Sequence, residues 1–290
     1  MTDSNNSSQV TTLLLVDVQK DFHPGGSLAI PTAHDDAARI AQLIIDHPHN
    51  ITRVVATMDS HVKLHIAHPH FWTPTPDPFT IITSQDIADG KWTPRADLNI
   101  PDGTLDESVF GTLAALTKSD GSLDVTKYAM EYTKRLEERG KFKLCIWPEH
   151  CLIGSAGFGM VDQVQEALHE WSAKTGGTVE WVLKGQNLLT ESYSALEAEV
   201  PNCKATSFNE ELQKSLQKSD RLLVCGQAMS HCVNYTLCSI VERWDKDKLG
   251  NITLITDAAS PVPGFEEAGK TFQEDMAKAG VLLKKSSELF

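Results

Sequence analysis

A cysteine attacks an amide carbon as its thiolate, so its chemistry depends on whether the chain places it where a thiolate is favoured. Among six cysteines, Cys232 has the most suggestive setting. It closes the stretch Cys225-Gly226-Gln227-Ala228-Met229-Ser230-His231-Cys232, which joins a strand-like run to a helix-like one. A thiol at a helix N-terminus feels the positive end of the helix dipole, and the amides there can bind a developing oxyanion. Other reactive side chains also fall at the ends of apolar runs: Asp17, Asp59 with His61, His150, and Lys184. A carboxylate near Cys232 could take its proton, and a lysine could stabilise the charged pair. Carboxylate and imidazole together suit a borderline divalent cation. Taken singly, each has a plainer reading as a packed cysteine, a solvated acid or a surface lysine.

The elements that would carry these residues alternate in type. Apolar, β-rich runs predict strands over 11–18, 53–58, 141–147, 178–183, 222–225 and 252–255. Helical spacing predicts helices over 37–46, 161–174, 208–218, 232–244 and 266–278, followed by a short apolar segment at 281–283. Strand–helix alternation of this kind predicts an α/β fold: a doubly wound, mostly parallel six-stranded sheet with helices on both faces. Such sheets place their sites at the carboxyl ends of strands, where Asp17, Asp59, His150, Lys184 and Cys232 fall. The rhythm breaks between residues 62 and 140, where a Pro-, Asp- and Thr-rich stretch precedes one amphipathic helix over 125–138. Loops this long are usually functional covers, so residues 1–290 read as one domain with an insertion at about 62–140 covering the site.

Composition narrows the partners. A formal charge of −13 argues against nucleic acid and against anionic membranes. No apolar run approaches a membrane span, and residues 1–9 are polar with no signal-like core. The cysteines lack a dense regular framework, which suits free thiols in a reducing, cytoplasmic compartment. A small-molecule substrate is expected, and a homo-oligomer is open.

The segment Gly226-Gln-Ala-Met-Ser-His-Cys232-Val resembles the nucleophile segment of isochorismatase-like cysteine hydrolases. Leu15-Val16-Asp17-Val18-Gln19-Lys20-Asp21-Phe22 resembles that family's first motif, and Leu183-Lys184-Gly185 its second, in the family's order. The resemblance implies Asp17 as general base, Lys184 as its cationic partner and Cys232 as nucleophile. It also implies a cis peptide between Gln227 and Ala228, with the amides of Ala228 and Cys232 as oxyanion hole. Asp59-Ser60-His61 and Trp147-Pro148-Glu149-His150-Cys151 resemble the metal motifs of nicotinamidases. They imply Asp59, His61 and His150 as ligands of a divalent metal, zinc first, with iron or manganese as alternatives. His65 stands as an open fourth ligand, while surface or capping roles are the expectation for His68 and His70. Phe22, Trp147 and Tyr193 match aromatic pocket positions. The implied activity is hydrolysis of a small amide, nicotinamide to nicotinate and ammonia, through a Cys thioester. The alternative is a related cysteine hydrolase acting on another small amide, a carbamoyl compound or an isochorismate-like substrate. Within the turn, Gln227–His231 replace the usual Thr-Asp pair.

Overall fold

The computed structural model describes residues 9–290 apart from Thr112 and Lys141. The predicted strand start at Lys141, and most of the polar stretch ahead of residue 9, therefore lie outside the described residues. The main strands are β1 (Thr11–Val16), β2 (Arg53–Asp59), β3 (Val179–Lys184), β4 (Arg221–Gly226), β5 (Ile252–Ile255) and β6 (Leu282–Lys284). The longer helices are α1 (Ala33–Asp46), α2 (Val125–Arg139), α3 (Asp162–Thr175), α4 (Glu210–Leu216), α5 (Cys232–Glu242) and α6 (Glu266–Ala279). The strands form one six-stranded sheet in the order β6-β5-β4-β1-β2-β3, with every pairing parallel. Chain order reverses direction between β1 and β4, so this is a doubly wound sheet with its switch point there.

Strand side chains alternate between two cores, as period-2 geometry requires. Leu14 and Val16 of β1 join Leu222 and Val224 of β4 on one face, with Val233, Leu237, Phe272 and Met276 from α5 and α6. Leu13 and Leu15 join Leu223 and Cys225 on the other, with Ile40, Ile44, Val164 and Trp171 from α1 and α3. Being covered on both sides explains why β1 and β4 read as continuous apolar runs.

The expected count of six strands holds, but one member differs. Residues 142–147 do not enter the main sheet. Leu144–Cys145 instead pairs antiparallel with Ile81–Ile82 of the intervening segment. The sixth place goes to β6, which overlaps the apolar segment at 281–283 and pairs with β5. Residues 62–140 carry short helices (Ser84–Ala88, Glu107–Phe110) and α2. Tyr128, Tyr132 and Leu136 of α2 are buried in the same core as α5 and α6. No helix among the described residues is long and apolar enough to cross a membrane.

Candidate active site

The sheet delivers the reactive side chains to one edge. Asp17 follows β1 directly and adopts a left-handed backbone (φ 47°), which bends the chain sharply off the strand. Its amide donates to the Thr57 carbonyl at 3.2 Å, and the Thr57 hydroxyl donates to its Oδ1 at 2.5 Å. Gly226 ends β4 with φ 117°, and a Cβ there would lie 2.1 Å from the Val16 carbonyl oxygen. Only glycine lets the nucleophile turn approach β1 so closely. The Gln227–Ala228 peptide is cis, and Cys232 opens α5.

Lys184, the last residue of β3, is the hub. Its Nζ lies 3.0 Å from Asp17 Oδ2 and 3.0 Å from Asp59 Oδ1, and donates to the Ser192 carbonyl at 2.9 Å and to Cys232 Sγ at 3.4 Å. Asp17 is also within hydrogen-bond reach of the Cys232 thiol. Burial opposes charge on Lys184, but Asp17, Asp59 and Cys232 outweigh it and hold the ammonium well above its ordinary value. Burial pushes the Asp17 carboxyl up despite Lys184. Burial, with Asp17 and Asp59, also pushes the Cys232 thiol well up against the pull of Lys184. Burial thus works against the thiolate expected at a helix N-terminus, with Lys184 pulling toward it and Asp17 and Asp59 pushing away.

Asp59 links this trio to a histidine cluster. The Gln19 carboxamide holds the Asp59 backbone from both sides, accepting from its amide at 2.7 Å and donating to its carbonyl at 2.8 Å. Asp59 Oδ2 lies 3.0 Å from His61 Nε2 and 3.3 Å from His150 Nε2. Burial works against an ionised Asp59, yet His61, Lys184 and His150 keep its carboxyl well below the usual range. His150 Nδ1 donates to the Pro148 carbonyl at 2.7 Å, which leaves Nε2 facing the cluster. Gly185 has φ 77°, and a Cβ would meet Asp59 Oδ1 at 2.9 Å and His61 Cε1 at 3.1 Å.

Two groups of side chains among the described residues could hold a metal ion: His61 with His68 and His150, and His61 with His65 and Glu191. His65 and His68 are both fully buried, so the surface or capping role expected for His68 is overturned. The two differ in their partners. His65 accepts from the Ala67 amide at Nδ1 (3.2 Å), and its Nε2 faces the Thr190 carbonyl at 3.1 Å. Both nitrogens are engaged with backbone. Among the described residues, neither nitrogen of His68 has a hydrogen-bond partner, and His61 Nδ1 has none. Buried imidazoles left unpaired are costly unless something binds them, so the donor set fits a cation. His70 is half-exposed and paired with Glu149, as a surface histidine would be.

The pocket at Cys232 is lined by Phe22, Trp147, Tyr193, Ala228, His231 and Val262, together with Asp59, His61, His150 and Glu191. Trp147 Nε1 donates to the Tyr193 hydroxyl at 2.9 Å, which fixes both rings. The structure thus brings together every site residue expected from the sequence. Reasoning from the sequence missed Glu191, whose Oε1 lies 3.9 Å from His61 Nε2, and His231 beside the nucleophile. Position next to Cys232 was a usable signal for His231; nothing local marks Glu191.

A doubly wound parallel sheet thus gathers Asp17, Lys184 and Cys232 at adjoining strand ends, the residues on which the motif resemblance rests. The proteins to which the chain is similar are of one kind. The nicotinamidase of Saccharomyces cerevisiae is 24% identical over 266 residues, covering 91% of this chain and 94% of the relative. Among solved structures, an Acinetobacter baumanii nicotinamidase/pyrazinamidase matches with TM-score 0.61 at 21% identity, covering 98% of this chain and 100% of the other. A yeast nicotinamidase bound to the inhibitor nicotinaldehyde matches with TM-score 0.61 at 20% identity, covering 95% and 100%. The Pyrococcus horikoshii pyrazinamidase in complex with zinc matches with TM-score 0.53 at 18% identity, covering 95% and 98%. No family model matches the chain. The chain shares the fold of these structures, and its similarity to the yeast relative extends over 91% of its length.

Proposed function

We propose that the protein is a metal-binding nicotinamidase that hydrolyses nicotinamide to nicotinate and ammonia. The observation that carries this reading is the Lys184 ammonium, 3.0 Å from both Asp17 and Asp59 and 3.4 Å from Cys232 Sγ. One cation thereby joins a nucleophile and its base to a carboxylate–imidazole cluster inside one aromatic-walled pocket. The relatives named above, nicotinamidases and pyrazinamidases, support the substrate class.

In this mechanism Asp17 takes the Cys232 proton as Sγ attacks the amide carbon, and Lys184 stabilises the charge that passes between them. The raised thiol makes such a base necessary. The Ala228 and Cys232 amides receive the developing oxyanion. Asp17 then protonates the departing ammonia and activates water to clear the thioester, regenerating the thiol. Phe22, Trp147 and Tyr193 hold a flat heterocycle, the shape of a pyridine carboxamide. Asp59, His61 and His150, with His68 as a fourth donor, would hold a divalent ion, zinc in the first instance, with iron and manganese the alternatives, and when bound it would supply a Lewis acid for the ring nitrogen. The whole chain reads as one cytoplasmic hydrolase domain, with residues 62–140 as an insertion beside the site that supplies His68 to the histidine cluster.

The test is ammonia release from nicotinamide by the zinc-loaded protein and by Cys232→Ala. Turnover in the parent that disappears in the variant supports the reading. A parent that releases no ammonia from nicotinamide, once its zinc content is verified, overturns the substrate assignment.

A further inference from the structure

The turn that carries Ala228 begins with a fully buried glutamine. Its carboxamide is tied at both ends. Gln227 Nε2 donates to Asp36 Oδ2 of α1 at 2.8 Å, and Oε1 accepts from the Ser260 amide, beyond β5, at 3.3 Å. Asp36 is itself buried, takes a second hydrogen bond from the Ser260 hydroxyl, and has Arg39 at 3.6 Å. The backbone continues the same connection. The Gln227 amide donates to Val16 O at 2.7 Å, the Met229 amide to Ser260 O at 2.8 Å, and the Val262 amide to Ser230 Oγ at 3.1 Å.

These bonds form a closed brace from β1 and α1, through the turn, to the segment after β5. A buried carboxamide and a buried carboxylate are costly unless each is paired, so the brace has one low-energy arrangement. That arrangement fixes the orientation of residue 227, and the amide that follows is the proposed oxyanion donor. An oxyanion hole works only when its donors are aimed before charge develops.

We propose that Gln227 and Asp36 are a positioning pair that sets the aim of the Ala228 amide. They act through that amide and touch no substrate; the inference rests on the cysteine-amidase reading above. Gln227→Glu sets a second carboxylate against Asp36 and breaks the brace. Combining it with Asp36→Asn rebuilds the brace with the donor and acceptor exchanged, since Asn at 36 can donate to Glu at 227. Zinc-loaded full-length proteins are compared by kcat and KM for nicotinamide, by nicotinaldehyde inhibition, and by the rate of Cys232 alkylation with iodoacetamide. An aldehyde adduct on Cys232 carries an oxyanion, as the reaction does, whereas alkylation needs none. We expect Gln227→Glu to lower kcat and weaken nicotinaldehyde by ~10-fold or more, with KM and alkylation near the parent's, because only oxyanion stabilisation is lost. The paired variant should recover to within about threefold on the same argument. Parent-like kcat and aldehyde affinity in Gln227→Glu, or no recovery in the paired variant, would overturn the proposal. A parent silent toward nicotinamide sinks the substrate assignment instead, because aldehyde protection of Cys232 still reads the brace without turnover.

Discussion

Asp17 meets Lys184, Thr57 and the Cys232 thiol from a strand end with no exposure to solvent. Its oxygens are therefore divided between holding geometry and moving a proton. Oδ1 is satisfied by Thr57, and Oδ2 faces Lys184. Asp17→Asn keeps the shape but cannot accept the thiol proton. Burial, the largest influence on Cys232, still opposes its thiolate in the variant, even with Lys184 pulling toward it and the push from Asp17 gone. The expected result is a kcat lower by about 10²–10⁴ with KM little changed, read by steady-state ammonia release on metal-loaded protein. A variant within about threefold of the parent, well inside that range, would remove Asp17 from the role of base. Asp17, Lys184 and Cys232 were legible in the sequence because each sits in a short motif at a strand end, in a fixed order. His61 and His150 were legible for the same reason, but His65 and His68 were not. Whether His65 or His68 is free for a ligand depends on whether the Ala67 amide and Thr190 carbonyl claim its nitrogens, and Thr190 is far away in sequence. The protonation of Cys232 was misjudged for a related reason. A helix N-terminus can be read locally, but the burial that outweighs it, and the carboxylates that add to it, arrive only with the tertiary fold.

The sheet was readable because β1, β4 and β5 are covered on both faces and show it as unbroken apolar runs. Residues 141–147 gave the same signal for a different cause: Leu144, Ile146 and Trp147 are buried beneath the intervening segment rather than within the sheet. An apolar run reports burial, not which partner supplies it. β6 was correspondingly understated, since Leu282 and Leu283 at the sheet edge are exposed. The intervening segment has a more specific use than a cover. The Tyr132 hydroxyl of α2 accepts the Glu191 amide at 3.0 Å, and the Tyr128 hydroxyl donates to the Leu189 carbonyl at 2.9 Å. This helix thus holds the loop whose Glu191 side chain faces His61 and whose Ser192 carbonyl accepts from Lys184. Tyr132→Phe removes one oxygen from a fully buried site and strands the Glu191 amide. It should cost about 1–3 kcal/mol of stability in urea unfolding. It should also weaken zinc by ~10-fold or more in chelator competition, as loss of outer-shell support does. Unchanged zinc affinity with the stability loss intact would reduce α2 to packing.

Across the molecule, a net charge of −13 and a set of buried neutral histidines respond to acid in opposite senses, since acid eases self-repulsion but charges buried imidazoles. His65 is the clearest case. Burial and the neighbouring His61 depress its imidazole to about 4, against an ordinary value of 6.5. Its hydrogen bonds agree, since an Nδ1 that accepts from Ala67 places the proton on Nε2, toward Thr190. The sign follows from which state binds the proton first. The unfolded chain charges His65 as pH falls through about 6.5, whereas the folded chain resists until about 4. Stability contributed by His65 is therefore complete above pH 6.5, declines between 6.5 and 4, and is flat below. Between pH 7 and pH 5 the loss attributable to this one residue is about 2 kcal/mol. His61 and His68 are depressed in the same direction, and His150, raised by Asp59 against its burial, opposes them. The contribution of His65 is thus a difference between proteins rather than the whole slope. Urea unfolding of chelator-treated parent and of His65→Gln, each at pH 7 and pH 5, isolates it. Glutamine can keep an acceptor for Ala67 and a donor for Thr190 without titrating. The variant should lose about 2 kcal/mol less than the parent over that interval. Equal losses would mean that His65 takes up its proton in the folded protein as readily as in the unfolded chain, and that the cluster around it is open to water.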